Sequence, residues 1–160
     1  MTDLLPLLQD FHRDKLTALL RHEAGARVVG QYDCNNTYQY IVNREDVQVT
    51  WVAKAIEELG GAVPEAAGPG RDVGTGTAAA RRVMEEDARD AQAFVDRWRP
   101  RVDTMSNARH AKMLRVILGE VLEQKRFFEQ ALAGRTDLLG RRGQSLGPSH
   151  GEVLASRWIE

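Results

Sequence analysis

A single cysteine, Cys34, stands in the 160 residues. An internal disulfide framework is therefore excluded, and so is any centre assembled from several thiolates. Nor is there an excess of charge of either sign. Twenty-two basic side chains face twenty-three acidic ones, for a formal net charge of -1, so no global basic field exists to hold a nucleic-acid backbone or an anionic membrane surface. Long apolar runs are missing too: none approaches the ~20 residues that cross a bilayer. The start, MTDLLPLLQD, has no basic segment of the kind that opens an export signal. These absences lead to the expectation of a cytoplasmic protein with neither nucleic-acid nor membrane partners.

A sustained period of two is also lacking, whereas four segments carry the period of a helix. The first begins near Asp3, repeats Leu5, Leu8, Leu16, Leu19, Leu20 and Ala26, and runs out at the turn cluster Asp33-Cys34-Asn35-Asn36. The second runs from about Thr37, with Tyr38, Ile41, Val52, Ala55, Ile56 and Leu59 on one face, and stops at Gly60-Gly61. A third shows Val83, Ala91, Phe94, Val95 and Trp98 before Pro100, where a kink or an end is expected. The fourth starts near Ser106 as its cap and carries Met113, Leu114, Ile117, Val121, Phe127, Phe128 and Leu132 to Gly134. The fold class expected is all-α, with residues 1–134 as one four-helix unit.

Between Gly60 and Thr77 lies a Gly/Pro-rich stretch without periodicity and with little to bury. A helix of about 24 residues is ~36 Å long, and this stretch is long enough to run its full height. A crossover is therefore expected between the second and third helices, and short turns with antiparallel packing within each flanking pair. Gly74-Thr75-Gly76-Thr77 has no lysine of a phosphate loop and no strand before it, so it reads as linker. The stretch 135–160 closes with Val153, Leu154, Trp158 and Ile159. It is read as a tail that docks on the bundle, on a neighbouring subunit or on a protein partner.

The informative residues are carboxylates on faces that should be apolar, where each costs several kcal/mol unless paired, protonated or metal-bound. Glu23 follows Leu16, Leu19 and Leu20 at helical spacing. Glu45 and Gln48 fall in the series Tyr38, Ile41, Val52. Asp87 is four after Val83 and seven before Phe94, with Glu86 as a near alternative, and Glu120 is three after Ile117, with Glu123 one turn on. Residue numbers straddling each short turn put Glu23 level with Glu45, and Asp87 level with Glu120. With no metal, such acids would form a buried polar network satisfied by Arg27, Arg89 or water. Crowding and burial would then raise their pKa values, so stability would climb on acidification.

These residues resemble the ferritin-like superfamily of di-metal carboxylate bundles. Glu45-Asp46-Val47-Gln48 followed by Glu57-Glu58-Leu59-Gly60-Gly61 is similar to that family's second helix, and Glu120-Val121-Leu122-Glu123 before Phe127-Phe128 to its fourth. The resemblance implies a ferritin-like antiparallel four-helix bundle with a metal pair held by Glu23, Glu45, Asp87, Glu120 and Glu123, and with Gln48 at the remaining family position. Gln48 and Glu123 stand where the family has histidine, and an amide is a poor donor for iron. Two functions follow: a bundle whose metal site has eroded, serving as a structural or interaction module, or an iron or manganese oxidoreductase or storage protein. His12, His22 and His110 read as solvated or capping. His22, adjacent to Glu23, is expected to point about 100° away from the centre. Cys34 is assigned no chemistry, and Trp51, Trp98 and Trp158 are read as packing residues. Apolar area at Val49, Trp51, Phe128 and the Trp158-Ile159 end leads to the expectation of a homodimer.

Overall fold

The computed structural model describes residues 3–67, 70–135 and Leu138. These form four helices and, among the described residues, no strand: α1 (Leu4–Ala26), α2 (Tyr32–Glu58), α3 (Gly76–Asp103) and α4 (Ala108–Leu132). None of the helices is long and apolar enough to cross a membrane. The tail expectation falls almost wholly outside the described residues. Of it only Arg135 and Leu138 are described, and Leu138 is buried against the apolar cluster that contains Ala26, Tyr38 and Phe127.

The helix ends follow local chemistry. Gly60 lies at φ +78° as the Gly60 and Gly61 amides reach back to the carbonyls of Glu57 and Ile56. The same closure recurs at Gly134, φ +95°, with Gly134 and Arg135 bonding Ala131 and Gln130. Three expected boundaries move. The first turn falls before the Asp33-Asn36 cluster, because the Gln31 side chain caps the Cys34 amide at 2.7 Å and Asn35 reaches back to the Ala26 carbonyl at 3.0 Å. Pro100 does not end α3, whose last turn is held by the buried Val102 and by Arg101 stacked 4.5 Å from the Trp98 ring centroid. Asn107, not Ser106, caps α4 by accepting from the His110 amide at 3.0 Å.

Cross-helix contacts give the register. On α1 and α3, Asp10, Asp14 and Arg21 meet Arg101, Arg97 and Asp90. On α2 and α4, Tyr40 and Arg44 meet Phe127 and Glu120. The linker travels beside α1: Gln9 donates to the Ala62 carbonyl, Ala67 donates to Thr17, and Arg71 donates to the Arg21 carbonyl. The interior has two apolar clusters. One is built around Phe11, Phe94, Trp98 and Leu114, the other around Tyr38, Ile41, Val83 and Phe128. Phe11 meets Trp98 edge-on at 4.9 Å and Phe94 at 5.5 Å, while the Trp98 ring N–H donates to Asp14 at 2.6 Å.

Gly25 lies where α1 leaves no room for a side chain beside α3. A Cβ there would lie 2.7 Å from the Val83 methyl and 3.1 Å from the Arg71 guanidinium. Gly119, exposed on α4, would meet nothing within 4 Å. Gly25→Ala should cost about 1–3 kcal/mol through overpacking, whereas Gly119→Ala should gain about 0.5–1 kcal/mol from helix propensity. Urea denaturation of both variants checks the pair, and equal effects would contradict this packing.

Candidate functional site: a buried ion network at the bundle centre

Buried polar side chains gather where all four helices face inward. Glu45 and Gln48 on α2, Lys15 on α1 and Asp87 on α3 are almost completely buried, and His22 on α1 and Gln124 on α4 are buried beside them. The Lys15 ammonium donates to Glu45 Oε2 at 2.7 Å, and His22 Nδ1 holds Glu45 Oε1. His22 Nε2 faces Asp87 Oδ1 at 4.0 Å. Tyr38 donates its hydroxyl to Asp87 Oδ2 at 2.6 Å. Arg71 enters from the linker, its side chain only 3% exposed, and lies 2.9 Å from Asp87 Oδ1. Its other nitrogen reaches Glu86 at 3.1 Å. Outside this group, Gln48 donates to Glu120, which Arg44 also clamps at 2.9–3.2 Å.

Charge pairing sets the protonation of these groups. Burial alone would raise the Glu45 carboxyl, but the His22 and Lys15 charges outweigh it and hold the pKa at about 2. Burial opposes the imidazolium of His22, yet Glu45 and Asp87 overcome it and raise the pKa above its ordinary 6.5. For Asp87, burial prevails over His22 and Arg71, and the carboxyl is raised. Burial and the Asp87 charge together push the Tyr38 phenol well above 10, so it stays a donor. The acids were expected to rise together; Asp87 does and Glu45 does the reverse, because two cations lie against one carboxylate.

The residues picked out by the resemblance do not share one place. Glu45 and Asp87 are brought to the same histidine, and Gln48 joins Glu120 at the α2–α4 contact. Glu23 is only half-buried, and Glu123 is exposed and paired with Arg126. The position expected for Glu23 belongs to His22, which correction follows from the true buried series Leu8, Phe11, Lys15, Leu19, His22, Ala26. His12 and His110 are also buried rather than solvated. Burial, with a smaller effect of Arg13, lowers the pKa of His12. Arg27 and Arg89, the expected partners of a metal-free network, are exposed, and Lys15 and Arg71 take that role. Gln124 was legible as well: Ile117, Val121, Gln124 and Phe128 keep core spacing on α4.

The donor set does not fit a metal pair. Both oxygens of Glu45 are held by nitrogen donors, and those of Asp87 by a phenol and a guanidinium. Among the described residues, no group of three or more His, Cys, Asp or Glu side chains is placed to share an ion. No family model, curated protein or solved structure matches the chain.

The network has a pH signature with a definite sign. Between the folded and ordinary values of Glu45, about 2 and 4.5, the unfolded chain binds more protons, so this contribution is present above that window and lost as pH falls through it. For His22 the folded chain binds more protons, so its contribution is full below 6.5 and lost as pH rises through the raised value. Asp87 acts in the same sense as His22, from 3.8 upward. Melting temperature should therefore decline as pH rises from 6.5, and His22→Gln should flatten that decline. A His22 ring that titrates below its ordinary value by NMR would refute it.

Proposed function

We propose that the chain is a ferritin-like bundle in which organic cations take the charge-balancing place of the metal pair, and that it works as a structural or interaction module independent of metal. The observation that carries this is the Lys15 ammonium at 2.7 Å from the buried Glu45, a fixed positive charge where the family's pattern calls for a metal. The family topology is supported by the register. Contact numbers rise on α1 as they fall on α2 and on α3, and rise on α2 as they fall on α4, which describes antiparallel neighbours. The linker keeps step with α1, as a crossover along the height of the bundle does.

Metal analysis of protein grown with iron and manganese supplements tests the reading. The expected result is far below one metal per chain, with a melting temperature unmoved by chelator. Lys15→Met should cost about 3–5 kcal/mol, because it strands a buried carboxylate. Two metals per chain, together with a lower melting temperature after chelation, would overturn the reading.

The same reading includes a homodimer. Val47 is 41% exposed and Val116 47% exposed, and both lie one turn to the same side of the Arg44–Glu120 pair that joins α2 to α4, so the two valines are level with each other. This leaves an apolar strip on the outer face, suited to a second copy. Sedimentation should show a dimer that Val47→Asp with Val116→Asp converts to monomer, and a monomer at every concentration would refute it.

A further inference from the structure

A cavity of about 260 Å³ opens between α1 and α3, with α4 as its floor, directly beside the ion network. Its apolar wall is Ala91, Phe94 and Val121, and its inner polar wall is Lys15, His22 and Gln124. Two of these polar groups have bonding capacity that the protein leaves unused. Gln124 is 4% exposed, and its amide finds no hydrogen-bond partner among the described residues. His22 spends Nδ1 on Glu45, and its Nε2 faces Asp87 at 4.0 Å, beyond hydrogen-bond distance. Polar groups that open only into a cavity of this kind are placed to complete their bonding on a ligand.

The donor and acceptor inventory selects the ligand's charge. Each carboxylate in the wall already faces a cation: Asp14 faces Arg97 and accepts from Trp98, Asp90 accepts from Arg21, and Asp87 accepts from Tyr38 and pairs in charge with Arg71 at 2.9 Å, although its Oδ1 accepts no hydrogen bond. Lys15 uses one ammonium hydrogen on Glu45 and has others to give, and the Gln124 amide nitrogen has both. The mouth carries Arg21 and Arg97. The unspent donors of Lys15 and Gln124 therefore exceed the one unpaired acceptor, Asp87 Oδ1, and that acceptor already lies 2.9 Å from the Arg71 charge, while the Phe94 side of the cavity calls for an apolar body.

We propose that this cavity binds a small organic carboxylate, its oxygens accepting from Lys15 and Gln124 beside the His22 ring and its apolar part lying against Ala91, Phe94 and Val121. The space suits a ring-sized body, since a dry cavity of about 150 Å³ already admits benzene in another protein. The site goes beyond the metal-free reading and does not depend on it, because none of its polar donors needs to be a metal ligand.

Benzoate, with benzamide and benzylamine as its neutral and cationic counterparts, provides the test. Titrated into the full chain, benzoate should bind saturably at one site and shift the His22 ring resonances, with both counterparts weaker by about tenfold or more. Gln124→Leu keeps the shape and removes the amide, and should weaken benzoate about tenfold. Ala18→Phe, at the half-buried edge of the cavity, should block it. Benzoate that leaves the His22 resonances unmoved would overturn the proposal, as would equal binding of benzamide or benzylamine. Undiminished binding by both variants would also overturn it, since the benzoate would then sit elsewhere. The His22 shift is read on the unaltered chain, so the proposal is tested even where a variant does not fold.

Discussion

The neutralisation of one carboxylate, that of Glu45, is the constraint on which the arrangement of the helices depends. A carboxylate taken fully out of water carries a penalty of several kcal/mol, recovered only by close charges in good geometry. Lys15 and His22 supply those charges from two turns of α1, each on a different oxygen. A shift of α1 along α2 by a single turn would strand all three groups. Apolar packing tolerates such shifts far better than a charge pair does, so the network sets register where the leucines mainly set proximity.

From Glu45 the constraint passes outward through His22. Its second nitrogen faces Asp87, which draws α3 into the same arrangement, and Tyr38 ties Asp87 back to α2. Asp87 in turn requires Arg71, and this requirement gives the linker a definite path over α1 toward α3. Arg71 also donates to the carbonyls of Arg21 and Val83, so one side chain joins the linker to both helices. Gly25 is the corresponding steric condition, because a larger residue would occupy the space through which α1, Val83 and Arg71 come together.

Much of the candidate site could be read in the chain before folding, and the rest could not for identifiable reasons. Glu45, Gln48, Asp87 and Glu120 interrupt apolar series at helical spacing, and their departure from the apolar faces is local information. Glu23 was mistaken for its neighbour because α1 has two overlapping apolar series. The expected stripe combines Leu16 and Leu20 with Leu8 and Leu19, and adjacent positions such as Leu19 and Leu20 differ by about 100° around the helix. Leu20 is in fact exposed, and Lys15 and His22 occupy the inward face. Arg71 gave no local sign at all, since a lone arginine in a Gly/Pro-rich stretch has no periodicity to mark it.

What the sequence by itself determined, for the described residues, is the helical class, the four helices and the ends that glycine closes. These depend on repeating apolar spacing, on glycines that admit positive φ, and on caps acting over three or four residues. Tertiary structure alone decided which face of α1 turns inward, which cations meet which acids, and what bonding capacity is left unused around the α1–α3 cavity. Each of those is a balance between desolvation and pairing among groups far apart in the chain, and neither side of the balance exists until the helices pack.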